Sequence, residues 1–436
     1  MNYVAVVNLI FLIFGILLSI YTFQFAFFAI VGVIHKKRFP HSDEKCRYGV
    51  LVSAKDEENV IPRLINSIRS ADYPQDKLDI IIIAHNCSDK TAEIARSLGA
   101  QVIEYNNPNA RTLGSAYHYA FKLIDIKKYD GFFVLNADNI VDKKFFDKLN
   151  DAFVYLGKKE TITSFRHTLN IKDGAMPAMY SYYFATSCTL GYAGRENFNV
   201  SSRITGCGFL LPTRMVENGW NYLGITEDIE YSGNTILAGN TIHYCDEAIF
   251  YDEQPRDVKT MWFQRLRWAK GQFIGCTTFF PKLLRALFNK EKKNKMSLFV
   301  NLVFHSFLPL TMFFSFVLQY ALLCFSPLFG ISLQETFLYW NYDLNWFQNL
   351  FLSLNVGALF LMLRTFVFTI LSIYLMAIMV LIGSKGKYKN QPKLPLIIGF
   401  IFFPLFVVTQ IPLDLSAMMI RDVKWRKIPH GVNQNK

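Results

Sequence analysis

Three short stretches of the chain hold side chains that could do chemistry together. "VLNADNI" ends an apolar run with Asn136 and Asp138, "GITEDIEYS" sets Thr226, Glu227 and Asp228 behind a glycine, and "MWFQRLRWAKGQ" carries Gln264, Arg267 and Trp268 among other aromatic and basic residues. A carboxylate at the end of a buried strand is a common holder of Mg2+ or Mn2+, which take oxygen ligands and share them with substrate phosphates. A second carboxylate can take the proton of an attacking hydroxyl. A guanidinium fork stabilises a departing phosphate, and a tryptophan plane receives the apolar face of a sugar ring. Each stretch also has a plain structural explanation. Asn and Asp after a strand form turns, Thr226 followed by acids is a complete helix start, and an aromatic, basic helix anchors at a membrane surface.

Other polar residues stand at similar places. Asp56 and Glu57 follow Ala54 in "YGVLVSAKDEE", and His85 and Asn86 close "LDIIIIAHN". Cys207 and Gly208 belong to "ITGCGFLL", where two glycines permit a simple turn or a close backbone approach to a ligand. "YDEQP" adds Asp252 and Glu253, a pairing usual on solvated surfaces.

The elements that must position these side chains alternate in type. Tyr48 to Ala54, "LDIIIIAH", "QVIEY" and Gly131 to Asn136 are short apolar runs of the kind that form buried parallel strands. Between them, "ENVIPRLINSIRS" carries Val60, Ile61, Leu64, Ile65 and Ile68 at helical spacing. "DKTAEIARSLGA" predicts a helix capped by Ser88 or Asp89 and closed by Gly99. This alternation predicts an α/β, Rossmann-like doubly wound sheet over residues 45–255, with ligands at the carboxyl ends of the strands. Asp56, Glu57, His85, Asn86, Asn136 and Asp138 all fall there.

With 436 residues the chain exceeds one domain, and its formal charge of +12 first suggests nucleic acid. The basic residues argue against that partner. They cluster beside apolar spans, at 35–38, 289–295, 385–393 and 421–427, which is the pattern of cytoplasmic membrane flanks attracted to anionic headgroups. Met1 to Ile34 contains no charged residue and exceeds the roughly 20 residues that cross a bilayer. It lacks the basic start and small-residue end of a cleaved signal, so a retained transmembrane helix is expected over 1–34. Seven scattered cysteines, without metal or redox spacing, fit a reduced cytosolic domain.

Downstream, 256–295 reads as amphipathic helices in the headgroup plane, 296–326 and 350–383 as transmembrane helices, and 421–436 as a basic cytosolic tail. Ser326 to Asn349, without Lys or Arg, is assigned to the outside. Arg364 within an apolar span costs roughly 2.5–3.5 kcal/mol on insertion scales and either lines a polar channel or packs on another helix; His305 is a weaker case. The segment 394–420 is transmembrane or re-entrant. Basic residues flank both its ends, so one crossing would leave a basic flank outside, and a hairpin bending at Pro404 resolves the conflict.

Taken in order, the acids after the first strand, "ADN", "GCG", "TED" and "QRLRW" resemble the processive family 2 glycosyltransferases, the membrane-embedded synthases of cellulose, chitin, hyaluronan and poly-N-acetylglucosamine. The resemblance runs from about Tyr48 to Trp268 and extends to the membrane layout. It implies a cytoplasmic GT-A type domain in a multi-pass cell-membrane protein, with Mg2+ or Mn2+ as cofactor. It also implies inverting transfer from a nucleotide sugar, UDP-linked, onto a growing glycan. Position by position, it implies that Ala54, Asp56, Glu57, His85, Asn136, Cys207 and Gly208 surround the nucleotide sugar, with Glu57 on the nucleotide. Asp138 matches the ligand of the metal that bridges the diphosphate. Asp228 of Thr226-Glu227-Asp228 matches the catalytic base. Gln264, Arg267 and Trp268 match the motif that holds the diphosphate and the acceptor's terminal sugar.

The chain departs from the family at His85 and Asn86, where many relatives carry Asp, and at Asn136, where the metal motif usually starts with Asp. Amides bring hydrogen bonds but no charge. "ARTLGSAYHYAF" lacks the lysine expected near its glycine. Two other readings therefore stay open: a single-sugar transferase to a lipid or short acceptor, and a catalytically weak glycan-binding subunit for assembly or export. A pure transporter would leave the α/β domain without a role.

Overall fold

A computed structural model describes residues 3–110, 112–306, 356–421 and 423. The chain opens with helix α1 (Tyr3–Ile34) and then builds an α/β domain. Its strands are β1 (Tyr48–Ala54), β2 (Leu78–His85), β3 (Gln101–Tyr105), β4 (Gly131–Asn136), β5 (Ile140–Val141), β6 (Thr161–Thr168), β7 (Phe209–Pro212) and β8 (Ile242–Asp252). Helices α2 (Ile61–Arg69), α3 (Thr91–Ser97), α4 (Leu113–Leu123), α5 (Phe145–Tyr155), α6 (Ala175–Ala185), α7 (Ala193–Glu196) and α8 (Glu227–Leu237) lie between them. There follow α9 (Val258–Phe288), α10 (Lys295–Ser306) and the helices Val356–Gly383, Lys385–Tyr388, Lys393–Val408 and Gln410–Met419.

The strands form one sheet in the order β3-β2-β1-β4-β7-β6-β8-β5 among the described residues. β3, β2, β1 and β4 run parallel, β7 reverses, and β6 pairs parallel with β8. The sheet is therefore mixed, with its parallel half made by the four strands read from the sequence. Register fixes where their polar ends meet: Ala54 lies opposite Ala84, and Ser53 opposite Asn136. The loops carrying Asp56, Asn86 and Asp138 thus leave one edge of the sheet side by side. Apolar side chains cover both faces. Val50, Val52, Leu64, Phe133 and Phe145 pack on one face, and Leu51, Ile83, Tyr117, Val134 and Trp220 on the other.

Local signals behave as their chemistry dictates. α2 buries Ile61, Leu64, Ile65 and Ile68. At the start of α3, Asp89 Oδ1 accepts the Thr91 N–H at 3.0 Å. Gly99 ends that helix at φ +73°, a conformation that suits glycine. Thr226 does precede α8, but its side chain makes no capping bond. It faces α9 instead, where a Cβ on Gly271 would sit 2.1 Å from Thr226 Cγ2.

The segments Phe366–Gly383 and Lys393–Met419 are long and apolar enough to cross a bilayer. Pro404 lies inside the helix Lys393–Val408 and not at the tip of a hairpin; the helix carries on, and its brief interruption comes at Thr409. Residues 307–355, including most of the expected second span and the 326–349 connection, lie outside the described residues, as do the side chains of His305 and Arg364.

These helices share a seam with the α/β domain. Ala29 of α1, Tyr180 and Tyr182 of α6, Ala377, Val380, Phe403 and Phe406 are buried together. Asp246, on β8, binds Lys36 beyond α1 at 3.0 Å and Lys387 at 2.6 Å. The Tyr388 and Ser181 hydroxyls are 2.8 Å apart, and Thr189 Oγ1 lies 2.6 Å from Ser384 Oγ.

Candidate active site

The acid end of β4 is braced from behind. Asn139 donates its amide to Asp138 Oδ1 at 3.2 Å and to Asp252 Oδ1 at 2.6 Å. Asp252 Oδ2 accepts from Arg166 Nε at 3.0 Å, from Arg166 Nη2 and from Gln254 Nε2. The Arg166 guanidinium also lies over the Phe184 ring, 3.7 Å from its centroid. Glu253 pairs with Arg63 at 2.8 Å and Arg256 at 2.9 Å. "YDEQP" is thus not a solvated surface: its two acids are buried, committed ion partners.

The "GCG" turn is tightly constrained. Gly206 and Gly208 take φ of +79° and +73°, and a side chain on Gly208 would strike the Phe250 ring. Cys207 between them is buried, and burial pushes its thiol well above the ordinary range. Arg166 pulls that thiol down, while Asp252, Asp138 and Asp228 push it further up. Asp138 and Asp228, 90 residues apart in the chain, therefore both act on the Cys207 thiol.

The "TED" and "QRLRW" segments are brought together by close packing of α8 and α9. Gly271 meets Thr226 as described, and a Cβ on Gly275 would lie 2.4 Å from Ile229 Cγ2. This approach sets Arg267 one turn before Gly271, with its Nη1 donating to the Ile225 carbonyl at 3.2 Å. Burial raises the pKa of Asp228, and Arg267 and Arg203 oppose that rise. Glu227 is raised too, by burial and then by the Asp228 charge. Burial lowers the Arg267 pKa, and the two acids counter it. The result is a carboxyl pair, Glu227 buried and Asp228 half-buried, interacting with a half-buried guanidinium.

Trp268 is half-buried in an aromatic nest. Its ring is parallel to Tyr183 at 6.5 Å and edge-on to Tyr180 at 6.2 Å and Phe184 at 5.9 Å. Gln264 Oε1 accepts the Tyr180 hydroxyl at 2.7 Å. Gln264, Arg267 and Trp268 thus line one stretch of α9, and of the three Arg267 interacts with Asp228.

The remaining predicted residues brace the loops at the β1 and β2 ends. His85 Nε2–H donates to the Ala110 carbonyl at 2.6 Å, and its ring stacks on Tyr105 at 5.4 Å. Burial lowers the His85 pKa, which favours the neutral ring. Asp56 Oδ1 accepts the Ser88 N–H at 2.6 Å, the Glu57 N–H donates to Thr91 Oγ1 at 2.8 Å, and the Ala54 carbonyl accepts the Cys87 thiol at 3.3 Å. Asn136 donates its N–H to Asn139 Oδ1 at 2.9 Å.

Sequence reasoning missed Arg166, Asn139, Arg203 and the Tyr180, Tyr183 and Phe184 nest. The aromatic run "MYSYYFA" was a usable signal for the nest. Arg166 offered little, because its partner Asp252 is 86 residues away. Among the described residues two acidic or mixed clusters could hold a metal by proximity, Asp56 with Cys87 and Asp89, and His41 with Asp147 and Asp151; neither contains Asp138.

A mixed sheet with carboxylates gathered at the ends of its parallel strands defines the GT-A class of nucleotide-sugar folds. The chain belongs to a glycosyltransferase family: residues 46–271, more than half its length, match the family described as "Glycosyltransferase like family 2". It is 23% identical over 301 residues to a probable glycosyltransferase, YdaM, of Bacillus subtilis, covering 67% of this chain and 69% of the relative. It is 23% identical over 363 residues to a poly-beta-1,6-N-acetyl-D-glucosamine synthase of Staphylococcus epidermidis, covering 81% of this chain and 77% of the synthase. Among solved structures, the mannosyltransferase PcManGT of Pyrobaculum calidifontis, bound to GDP-Man and Mn2+, superposes with a TM-score of 0.53 at 13% identity, over 88% of this chain and 99% of that one.

Proposed function

We propose that this chain is a membrane-embedded, inverting glycosyltransferase that extends a β-linked polysaccharide from a nucleotide sugar, UDP-linked, and passes the product across the membrane. The observation that carries the reading is a half-buried carboxyl, Asp228, whose charge interacts with the Arg267 guanidinium, with Trp268 next along the helix. The similarity to a poly-beta-1,6-N-acetyl-D-glucosamine synthase supports a polymer product, and the mannosyltransferase bound to GDP-Man and Mn2+ supports a nucleotide-sugar donor with a divalent ion.

In this reading residues 45–255 form the cytoplasmic catalytic domain, and Ala54, Asp56, Glu57, His85, Asn136, Cys207 and Gly208 enclose the donor. The donor set suits Mg2+ or Mn2+. Asp138, just past the end of β4, is the carboxylate at the position of the metal motif, and such ions commonly take one or two carboxylates and complete their shell with substrate phosphates. The ion would neutralise charge on the departing diphosphate. Arg267 adds a second cation there. Trp268 stacks on the acceptor's terminal sugar and presents its hydroxyl. Asp228 takes that hydroxyl's proton as the new bond forms on the face opposite the leaving group, which inverts the anomeric centre.

The test is a donor screen on the purified full chain in nanodiscs with Mn2+. A UDP-sugar should yield UDP and a product longer than one added residue, and Asp228→Asn should abolish both. Single-residue products would move the reading to a transferase acting on a lipid or short acceptor. No UDP from any donor, with Asp228→Asn behaving like wild type, would leave a glycan-binding export or assembly subunit.

A further inference from the structure

We infer that the apolar helix Lys393–Met419 does not cross the bilayer: both of its ends stay on the face that carries the glycosyltransferase domain, and its outward stripe lies against the acyl chains of that leaflet. By composition the helix could cross, since its 27 residues make roughly 40 Å at 1.5 Å each. Its contacts argue otherwise. Just before it, Lys387 is fixed to Asp246 and Tyr388 to Ser181. Along its first half, the Tyr182 hydroxyl donates to the Leu396 carbonyl at 3.1 Å, and the Tyr180 and Phe406 rings are 5.0 Å apart.

The second half is held by the helix that carries Gln264, Arg267 and Trp268. Arg265 donates to the Phe406 carbonyl, to Thr409 Oγ1 and to Gln410 Oε1, each at 2.8 Å. Lys270 Nζ donates to the Ala417 carbonyl at 3.1 Å, and Leu413 and Ala417 are buried against Leu266 and Ala269. Lys270 is the neighbour of Gly271, which touches Thr226. The far end of the helix is therefore anchored beside the catalytic segment, and the near end on the β8 side of the same domain. A crossing helix would hold its ends apart by the roughly 30 Å of hydrocarbon.

Composition agrees. Thr409, Gln410, Asp414 and Ser416 fall in the second half, and Gln410 Nε2 donates to Asp414 Oδ1 at 2.7 Å. A carboxylate is expensive within a bilayer and ordinary at its edge. Basic stretches flank both ends, 385–393 before and 421–427 after, which places both on one side and beside anionic headgroups. Opposite the domain-facing residues, Leu394, Ile397, Ile401 and Leu405 are exposed by 67%, 56%, 54% and 63%, a stripe at helical spacing that fits lipid chains. The hairpin at Pro404 is not needed to keep both flanks on one side.

None of this depends on catalysis, so an inactive protein would leave it standing. Two tags on the full chain test it, one after residue 436 and one in the exposed turn at Asn218, in sealed vesicles of known orientation treated with protease from outside. Both tags should be cut in the same vesicles. A C-terminal tag protected where the Asn218 tag is cut overturns the assignment. Nitroxide labels on Ile397→Cys, Ile401→Cys and Leu405→Cys, read against the unsubstituted chain, should be relaxed by oxygen and shielded from a water-soluble nickel chelate. Ready access of the chelate would overturn the lipid-facing stripe.

Discussion

Gly271→Ala should cripple transfer without substituting any side chain of the proposed machinery. A Cβ at Gly271 would lie 2.1 Å from Thr226 Cγ2, 2.3 Å from its Oγ1 and 2.7 Å from its Cβ. Rotating the threonine clears the first two contacts and not the third. Restoring an ordinary carbon contact of about 3.5 Å requires α9 to retreat by about 1 Å. That retreat carries Arg267 and Trp268 away from Asp228. A displacement of about 1 Å can cost on the order of a hundredfold in rate, and overpacking costs about 1–3 kcal/mol of stability. The assay is kcat for UDP release, with thermal unfolding in parallel. Thr226→Ala, which removes the two nearest atoms, should recover part of the loss in the double variant, so the two changes should be non-additive. Gly386→Ala, with nothing within 4 Å, is the neutral control. A Gly271→Ala protein with wild-type kcat and wild-type unfolding would refute the idea that helix spacing sets the site.

Three further outcomes are expected. Asp228 must be ionised to act as a base and burial raises its pKa, so activity should rise with pH through a limb above its ordinary 3.8; Arg267→Gln removes a charge that lowers that pKa, so the limb should move to higher pH as the rate falls. The same sign applies to stability: a carboxyl raised by burial favours the fold while protonated, and that contribution is lost as pH climbs through the raised value. Asp252→Asn leaves Arg166 buried without its counter-charge and should cost roughly 3–5 kcal/mol, read as a lowered denaturation midpoint. Chelation with EDTA should stop UDP release and added Mn2+ should restore it, whereas Asp138→Asn should need far more Mn2+ or stay inactive; full activity in EDTA would remove the metal from the scheme.

The parallel half of the sheet was legible because strands covered on both faces become unbroken apolar runs, as in β1 and β2. β6 was not. Every residue of "TITSFRHT" is buried, yet Arg166 and His167 read as polar because their partners are distant in sequence. α6 gave no periodic signal either, since most of its residues are buried around the whole circumference. At the site, the grouping of "TED" with "QRLRW" came from resemblance and not from any local pattern. Thr226 followed by acids satisfied every rule for a capped helix, and packing against Gly271 took its side chain elsewhere. Asp252 and Glu253 looked like surface acids, and only the fold supplied their arginines.

The double grip of Lys36 and Lys387 on Asp246 has a practical corollary. A fragment trimmed to 45–255 would strand that carboxylate without either cation and uncover the aromatic side of α6. Such a fragment should precipitate or need detergent. Chimeras with relatives should work only when α1, α6 and the 385–419 region come from one parent, so recombination has to treat these distant pieces of chain as a single inherited part.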